Sequence, residues 1–420
     1  MKPLRFCMVT TFYPPRNFGG DAVAVQSLAR ALVRVGHHVT VICDDDAYRT
    51  LSGNHAPAPP EIDDGVVVHR LASRIGPLAV GLTQQTGRPI VHGATLRRLL
   101  DGGNFDVIHY HNLSLVGGPA ALGYGRAVKL YTAHEHWLVC PTHVLWRYRA
   151  EPCPARQCTR CQLSYGRPPQ LWRHTGLLER ELDHVDAFIA LSRFSRDKHR
   201  EFGFTREMEV LPGFVRDPGP PPAMKERSDG ERPYFLFVGR LESIKGLEDV
   251  LDAFATFHDA DLVVAGEGTE RTGLVARAAG NPRVRFIGFQ SGAELSHLYS
   301  GAQAVIASSR GYETFGLSVI EAYSRGVPVL ARRMGSYLEL VEGTGAGETF
   351  ADVAELKAAM QRMLATGTGR AQMGAAAYAH FRATFSEDVV VPRYLALVER
   401  FQSRREAAPS WPIPAAPAHV

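Results

Sequence analysis

The sequence predicts an α/β protein of two doubly wound domains, each with a mostly parallel sheet covered by helices. Three observations support this prediction: short apolar runs alternate with helical stretches, the series restarts after a polar segment near the middle, and the chain has 420 residues. Alternating strands and helices are typical of parallel sheets. A chain of this length usually divides into two or three domains, at roughly 150 residues each.

The first series begins with a largely apolar run at residues 4–12, typical of a strand buried on both faces. A loop with Gly19 and Gly20 follows, and Asp21 is expected to cap the next helix. Further strands are predicted at residues 39–43, 105–110, 127–132 and 187–191. These elements make up a predicted first domain at residues 1–216, with a cysteine-rich loop at 140–161.

A polar, proline-rich segment without periodicity lies between Phe214 and Pro233 and is the predicted linker. Strands of a second series are predicted at residues 234–239, 262–266, 284–288, 304–307 and 327–331, and helices near 353–364, 370–385 and 388–401. We expect a second domain at 217–385 and a last helix at 386–405 that crosses back to the first domain. The tail at 406–420 is rich in Ala and Pro and is expected to be disordered.

The composition argues for an ordinary globular protein. Hydrophobic residues make up 45% and charged residues 21% of the chain, and the net charge of +4 is spread along it, so a nucleic-acid or anionic-membrane surface gains little support. No run of about 18 apolar residues suits a transmembrane helix, and residues 1–5 lead into a strand without a signal-peptide core. We expect a cytoplasmic protein with no transmembrane segment. Peripheral membrane contact and the oligomeric state stay open.

Two carboxylates, Glu313 and Glu321, follow a predicted buried strand of the second series. The helix is predicted to begin near Phe315, so Glu321 lies about two turns into it and the carboxylates can address different ends of one ligand. Free amides at Phe315, Gly316 and Leu317 would face an anion at the helix start. The alternative interpretation is that Glu313 only caps the helix and Glu321 is solvated.

Arg240 and Lys245 follow the first predicted strand of the second domain, at the sheet edge where ligands bind. The chain has only six lysines, so a lysine at this position is informative. Arginine can grip a diphosphate through its planar fork, and lysine can do so as a compact charge. The two residues are therefore predicted to clamp a diphosphate; the alternative is that both are surface charges.

Three motifs complete the pattern: Gly-Arg-Leu-x3-Lys-Gly at 239–246, Val-Ala-Gly-Glu-Gly at 264–268, and Glu-x7-Glu at 313–321, which begins Glu-Thr-Phe-Gly-Leu. With them the chain resembles glycosyltransferase family 4, whose members are retaining enzymes of the GT-B fold. The resemblance extends from residue 4 to about residue 402. It implies two Rossmann-like domains facing each other across a cleft, the first binding an acceptor and the second a nucleotide sugar.

The resemblance also implies a role for each motif residue. Glu313 would contact hydroxyls of the donor sugar, and Glu321 the ribose hydroxyls of the nucleotide. Arg240 and Lys245 would neutralise the departing diphosphate, helped by the amides of residues 315–317. The implied chemistry is front-face substitution, in which the diphosphate itself takes the acceptor's proton, so the two carboxylates are not the acid and nucleophile of a hydrolase.

Glycines supply the remaining contacts to the donor that the resemblance implies. Backbone around Gly288 and Phe289 would meet the base. Gly19 and Gly20 resemble the family's glycine loop, which lets the backbone approach phosphates or sugar without an intervening side chain. At Gly213 the chain departs from many relatives, which have Asn in this position before the linker, so the amide side chain that would tie the domains or touch the donor is absent from this hinge.

Histidines end two predicted strands of the first domain. His134 and His136 follow the strand at 127–132, and in the family a histidine at the place of His134 lies beside the transferred sugar and helps to position it. His136 is the alternative for this role. Strand alternation puts His109 and His111 on one face, where they line the cleft or support the loop.

Four of the six cysteines cluster with the spacing Cys-x12-Cys-x4-Cys-x2-Cys. They are Cys140, Cys153, Cys158 and Cys161. Four thiols in a reducing compartment, among residues that do not form a core, predict a structural zinc site. A free-thiol loop, a disulfide, or His143 in place of one ligand are the alternatives. No catalytic metal is expected.

The sequence thus favours a retaining transferase that uses a UDP- or GDP-linked sugar and a small-molecule or glycan acceptor. One alternative is a nucleotide-sugar epimerase, which would use a similar diphosphate cleft. A zinc-containing protein that binds nucleic acid is a second alternative, supported only by a few arginines near the cysteines, with little aromatic interleaving.

Overall fold

The computed structural model describes residues 2–52, 62–221, 232–365 and 367–407. Part of the predicted linker, residues 222–231, lies outside the described residues, as does the predicted tail from residue 408. The described chain forms two domains, each with its own sheet of mainly parallel strands and its own helices. The predicted α/β class is therefore confirmed.

The first sheet has eight strands in the order β10-β9-β6-β5-β1-β2-β4-β3, all parallel except for the β3–β4 pair. The strands of this half are β1 (Arg5–Val9), β2 (His38–Asp44), β3 (Ile62–Asp63), β4 (Val66–Leu71), β5 (Val107–Tyr110), β6 (Val128–Ala133), β7 (Trp146–Arg147), β8 (Glu151–Pro152), β9 (Ala187–Ala190) and β10 (Met208–Val210). β7 and β8 form a separate hairpin.

Helices cover both faces of the first sheet. They are α1 (Gly20–Arg34), α2 (Asp45–Ser52), α3 (Gly76–Thr86), α4 (Gly93–Gly102), α5 (Cys158–Ser164), α6 (Leu177–Leu182) and α7 (Arg193–Glu201). Alternate residues of β1 enter different cores: Cys7 and Val9 pack on one face, and Phe6 and Met8 on the other. This explains why β1 is an almost continuous apolar run.

The second sheet has six strands in the order β13-β12-β11-β14-β15-β16, and all its pairs are parallel. Its strands are β11 (Tyr234–Val238), β12 (Asp261–Ala265), β13 (Val284–Gly288), β14 (Val305–Ala307), β15 (Val329–Arg332) and β16 (Gly347–Phe350). The helices that follow them are α8 (Leu247–Phe254), α9 (Arg271–Arg277), α10 (Gly292–Gly301), α11 (Leu317–Tyr323), α12 (Tyr337–Val341), α13 (Val353–Ala365) and α14 (Gly367–Thr384).

The last helix, α15 (Glu387–Ala407), packs against the first domain. The ring of Tyr394 lies 6.1 Å from that of Phe6 in β1, and Glu387 pairs with Arg34 of α1 at 2.6 Å. A helix that leaves the second domain and joins the core of the first ties the two domains together at their edges.

Several predicted boundaries were wrong. β1 ends at Val9, although the amide of Thr10 still bonds the Ile42 carbonyl at 3.1 Å and that of Thr11 the Asn112 carbonyl at 2.7 Å. Asp21 does not cap α1: the N-cap is Gly19, and Asp21 lies in the first turn. The sequence analysis missed the edge strands β3, β10 and β16, and also β4, which lies between β2 and β3. α15 runs to Ala407 and so overlaps the start of the predicted tail.

Candidate functional site

The predicted site residues lie beyond the carboxyl ends of strands in both sheets. In the second domain, β14 leads into the 308–316 loop, and β11 leads into a turn of 3-10 helix at Ser243–Lys245. In the first domain, β6 ends at Ala133 and leads into His134. Ligands of parallel sheets bind at this edge, where neighbouring loops diverge.

Hydrogen bonds join the 308–316 loop to the turn that carries Lys245. The hydroxyl of Ser308 donates to the Lys245 carbonyl at 2.8 Å, and the amide of Arg310 donates to the carbonyl of Ile244 at 2.8 Å. Arg310 and Arg332 both pair with Asp249 of α8. The two segments are therefore held as one unit before any ligand binds.

Glu313 is anchored through one oxygen. Lys245 Nζ lies 2.5 Å and Ser309 Oγ 2.6 Å from its Oε1, while Oε2 takes part in no hydrogen bond to another described residue. Burial alone would raise the pKa of Glu313, but the ion pair with Lys245, the Ser309 hydrogen bond and the charge of Arg240 outweigh burial and lower it. Glu313 is therefore an ionised acceptor with one oxygen available to a ligand.

Glu321 is held in a similar way on the inner face of α11. The hydroxyl of Tyr299 donates to its Oε2 at 2.7 Å, and Oε1 has no partner among the described residues. Burial raises the pKa of Glu321, and the Tyr299 hydrogen bond and the charge of Arg325 oppose that rise. The predicted alternative of a freely solvated Glu321 does not fit these contacts.

Arg240 does not lie in the same ion pair as Lys245. It is half exposed and pairs with Glu242 at 2.8 Å. Its charge still acts on Glu313, as the lowered pKa of that carboxyl reflects. The two cations of the predicted clamp therefore differ in their surroundings. Lys245 is anchored on Glu313, whereas Arg240 lies on the rim and pairs with Glu242, which is itself partly exposed.

α11 begins later than predicted. Gly316 is its N-cap with φ of 125°, and the helix starts at Leu317 rather than near Phe315. Phe315 is buried, and its ring packs edge-on against Phe385. A Cβ on Gly213 would lie 2.9 Å from the same ring, so the absence of a side chain at Gly213 allows Phe315 to pack there.

The glycines of the 264–268 motif bring two loops into contact. A Cβ on Gly266 would lie 1.9 Å from the carbonyl oxygen of Gly239, and one on Gly268 would lie 2.3 Å from that of Leu241. Gly288, with φ of 75°, ends β13, and Phe289 beside it is 74% exposed. A large apolar ring left exposed at a strand end offers a flat surface to a planar ligand.

Gly20 brings the first domain against α11, whereas a Cβ on Gly19 would meet Asp21 of the same domain at 3.2 Å. A Cβ on Gly20 would lie 3.2 Å from the side chain of Leu317, so a larger residue would press on the second domain. Asp21, in the next position, accepts a hydrogen bond from the Asn112 side chain at 3.2 Å.

A chain of buried histidines supports His134. The ring of His134 hydrogen-bonds that of His111 (Nε2 to Nδ1, 2.9 Å), and the rings of His111 and His109 lie 4.0 Å apart. His109 in turn contacts Thr132 at 2.8 Å and Tyr394 of α15 at 3.0 Å. His109 and His111 thus lie behind His134 rather than along the cleft.

Burial keeps these three histidines neutral. It lowers the pKa of His109 to about 3 and the pKa of His111 well below its usual range. Burial also lowers the pKa of His134, although the charges of Asp21 and Glu135 oppose that change. A neutral ring can accept a proton or a hydrogen bond at one nitrogen while donating at the other.

His136 points away from the place of His134. It is 1% exposed, its ring packs 5.0 Å from that of His199, and its Nε2 donates to the Tyr312 carbonyl at 3.2 Å. This geometry does not suit the alternative role of contacting a sugar. Glu135 pairs with His143 at 2.8 Å. The histidine that was considered as an alternative zinc ligand therefore already has a partner.

Direct hydrogen bonds connect the two domains at Thr314. Its hydroxyl donates to the His134 carbonyl at 2.7 Å, and its own carbonyl accepts from the Ser192 hydroxyl at 2.7 Å. The residues on either side of the cleft are therefore fixed relative to each other through the residue next to Glu313.

The six cysteines are all free thiols. Among the described residues, one group of potential metal ligands has its ligand atoms within 4.8 Å of one another. It consists of Asp44, Asp46 and His92. The sequence analysis missed it, although three consecutive aspartates after a buried strand were a visible signal. Its members bond one another and nearby groups: Asp46 accepts from His92 and Ser73, and Asp44 from the Ala47 amide. These hydrogen bonds account for the close approach of the three side chains as part of the fold.

Two family models match the chain. Glycosyltransferase Family 4 matches residues 18–217, and Glycosyl transferases group 1 matches residues 223–380. The chain is a glycosyltransferase of the group 1 and family 4 type. This glycosyltransferase has the GT-B fold, and the resemblance noted in its motifs is confirmed.

Known proteins agree with this assignment. A GDP-mannose-dependent alpha-mannosyltransferase of Mycolicibacterium smegmatis is 29% identical over 344 residues, covering 80% of this chain and 82% of that protein. The structure of sucrose-phosphate synthase from Thermosynechococcus elongatus matches with a TM-score of 0.74 at 20% identity, covering 96% and 100% of the two chains. Anabaena Alr3699/HepE, solved with UDP and glucose, matches with a TM-score of 0.65 at 17% identity over 94% and 100%.

The enzyme class predicted from the sequence, a glycosyltransferase, is confirmed by these comparisons. Within the described ranges, every helix is too short or too polar to cross a membrane.

Proposed function

We propose that this glycosyltransferase moves a sugar from a UDP- or GDP-linked donor to a small-molecule or glycan acceptor with retention at the anomeric carbon. The relatives support a nucleotide-sugar donor, since one depends on GDP-mannose and another was solved with UDP. The observation that carries the proposal is the anchoring of Glu313 and Glu321, each through one oxygen, with the second oxygen left for a ligand hydroxyl.

In the proposed complex, Oε2 of Glu313 accepts from a hydroxyl of the donor sugar, and Oε1 of Glu321 accepts from the ribose. Lys245 has three donor hydrogens, so it can keep Glu313 and still bind a phosphate oxygen. Arg240, whose present partner is exposed to solvent, turns to the diphosphate. The exposed ring of Phe289 and the backbone at Gly288 meet the base.

The proposed step breaks the bond from the anomeric carbon to the diphosphate oxygen and forms a bond from the same carbon to the acceptor oxygen on the same face. The acceptor's proton passes to the departing diphosphate. Lys245 and Arg240 stabilise the charge that develops there, helped by the amides of residues 315–317. His134 positions the sugar, and Gly19 and Gly20 let the backbone approach it.

A thermal-shift screen with UDP-, GDP-, ADP- and dTDP-sugars tests the donor. A ligand that binds the folded state raises apparent stability by mass action, so one nucleotide series is expected to raise Tm. Lys245→Ala should lose that shift, whereas Lys357→Ala, which removes a lysine bound to Thr256 on the far side of α8, should keep it. If no nucleotide sugar raises Tm, or if Lys245→Ala responds like the wild type, the proposed donor site is wrong.

Release of free sugar and transfer to an acceptor must be measured separately. We expect turnover of the donor to rise when a suitable acceptor is added, because the acceptor oxygen is the nucleophile. Interconversion of the donor sugar at the same rate without any acceptor would instead point to an epimerase.

A further inference from the structure

The cysteine-rich loop, residues 140–161, has little regular structure of its own. Among its described residues it contains only the two-residue strands β7 and β8 and the first turn of α5. Four of the six non-glycine residues with positive φ in the described chain lie within this loop: His143, Leu145, Tyr148 and Arg149. L-residues disfavour this conformation, so the loop needs stabilising contacts beyond its own hydrogen bonds.

The four cysteines of this loop line a single cavity. Cys140, Cys153, Cys158 and Cys161 all contribute to its wall, together with Leu145 and Phe202. The four cysteines, which are spread over 22 residues of sequence, therefore lie around the same small cavity. The charge interactions among the four thiols agree with this proximity.

Each cysteine sits on a backbone position that is already fixed. The amide of Cys140 donates to the His136 carbonyl at 2.7 Å, and that of Cys153 to the Leu145 carbonyl at 2.7 Å. Cys158 is the first residue of α5, and Cys161 lies one turn further on, which puts the two side chains on one face of the helix. Such a pair can approach one ion without a change of fold.

Three arginines lie beside the cavity, and Arg147, which lines its wall, already pairs with Glu151. Arg173 interacts electrostatically with Cys140 and Cys158, and its guanidinium is packed over the rings of Trp137 and Trp172. Arg156 lines the cavity wall and acts on Cys158. A zinc ion bound by four thiolates carries a net charge of −2, which two nearby guanidinium groups would balance.

We propose that Cys140, Cys153, Cys158 and Cys161 bind one zinc ion as thiolates. Binding releases four protons, one from each thiol, and needs no oxidant or reductant. His143 is not a ligand in this proposal, because its ring pairs with Glu135 and it does not line the cavity.

Zinc must draw the thiols together. The four sulfur atoms do not lie within 4.8 Å of one another, whereas the sulfur atoms of a tetrahedral site lie about 3.8 Å apart for a Zn–S distance of about 2.3 Å. The ion would therefore close the loop around itself, as in small domains where metal binding and folding are coupled.

The loop that the metal would hold also contacts the second domain. A Cβ on Gly311 would lie 3.8 Å from the Trp146 ring of the β7–β8 hairpin. Tyr312, the next residue, packs against the core of the first domain, and its carbonyl accepts from His136. Both residues directly precede Glu313. The metal would therefore stabilise the position of the donor carboxylate, a consequence that rests on the proposed function.

Elemental analysis of the full-length protein, purified without added metal, tests the site directly. We expect one zinc per chain in the wild type and in Cys7→Ala, which changes a buried cysteine outside the cluster, and a large loss of zinc in Cys158→Ser. Protein with no zinc and six titratable thiols, protein with a disulfide among the four, or zinc retained in Cys158→Ser would each overturn the proposal.

Wild-type protein provides a second measurement that does not depend on a variant folding. After removal of zinc with a chelator, one equivalent of Co²⁺ should give the charge-transfer and visible bands of a tetrahedral cobalt–thiolate site, and zinc should displace them. Octahedral cobalt spectra, or no binding, would contradict the proposal. Because the readout is the metal itself, its outcome is independent of whether the donor site is correct.

Chelation also tests the link to the donor loop. Metal-free protein is expected to unfold at a lower temperature and to bind the nucleotide identified by the screen more weakly, with both effects reversed by one equivalent of zinc. Unchanged stability and unchanged nucleotide affinity after complete removal would show that the metal does not support the loop.

Discussion

In the second domain, the residues proposed to bind the donor's sugar, ribose and diphosphate come from two short motifs, whereas the groups behind His134 come from two distant parts of the chain, the end of β5 and the last helix. Lys245 and Glu313 pair directly, and the turn and the loop that carry them are bonded to each other. In the first domain, His134 depends on His111, which packs against His109, which contacts Tyr394 of the last helix.

This difference shows how each side of the cleft obtains its rigidity. The proposed donor side is stabilised by an ion pair and nearby hydrogen bonds. Substitutions there should therefore reduce activity strongly and act directly at the site. The side of the cleft that carries His134 is stabilised by a series of neutral, buried rings that contact one another. Substitutions there should therefore reduce activity less, and they can act from positions far from the ligand.

The largest effects are expected from the ion pair itself. Lys245→Ala and Glu313→Ala should each lower kcat/KM on the order of 100–1,000-fold, because each removes a charge aimed at the reacting donor. The double variant should be little worse than either single one, since partners in one contact are not additive. Arg240→Ala, which pairs with Glu242 instead, should also lose most transfer, but its effect should add to that of Lys245→Ala.

Steady-state kinetics of the three single variants and of the Lys245→Ala/Glu313→Ala and Lys245→Ala/Arg240→Ala double variants, with circular dichroism to verify folding, would measure these effects. Near-normal turnover in all the single variants would contradict the site. Full additivity between Lys245→Ala and Glu313→Ala would mean that the two residues act separately in the complex.

A smaller effect is expected from His111, which touches His134 but not the proposed donor. His111→Leu removes the hydrogen bond that orients the His134 ring, and we expect kcat to fall roughly tenfold because misplaced groups slow reactions steeply. Donor affinity should be unchanged, and His111→Asn, which can still bond His134, should recover much of the loss. A fall in nucleotide affinity equal to the fall in kcat would instead indicate a general loss of structure.

Gly213 provides a test of the contact between the linker region and α11. Gly213→Asn places a Cβ 2.9 Å from the Phe315 ring, so the ring must move from its packing against Phe385. Overpacking of this kind costs about 1–3 kcal/mol of stability. Calorimetric unfolding measures the cost, and Gly102→Asn is the control, because no atom lies within 4 Å of a Cβ added to Gly102 and its φ is not positive. A stable Gly213→Asn protein would show that the ring can repack freely.

The smallest effect concerns pH. Burial lowers the pKa of His109 and of His136 to about 3, so both stay neutral in the folded state while the unfolded chain binds protons below about pH 6.5. Each such histidine should therefore reduce stability by about 1.4 kcal/mol per pH unit as the pH falls from 6.5 toward 3. His109→Gln should flatten this dependence by about one proton. Equal slopes in wild type and His109→Gln, measured by denaturant unfolding from pH 6.5 to 5, would argue against a neutral buried ring.

The sequence predicted much of the fold because parallel strands buried on both faces are apolar and are separated by amphipathic helices. It failed near the edges: β3, β10 and β16 were missed, since an edge strand has one neighbour and a less apolar pattern, and so was β4, which lies next to the edge strand β3. It also placed the start of α11 about two residues too early, because Phe315 is used for packing and Gly316 for the cap.

The sequence by itself named three residues of the proposed donor site, Lys245, Glu313 and Glu321, because they lie in segments whose residue types and spacing are distinctive. Only the tertiary structure decided which carboxylate oxygen each partner occupies, and that His136 supports Tyr312 while His111 supports His134. The physical reason is distance along the chain. Contacts within a loop leave a local pattern, but contacts between residues 22 to 176 positions apart depend on how sheets and helices pack, and no local pattern records that.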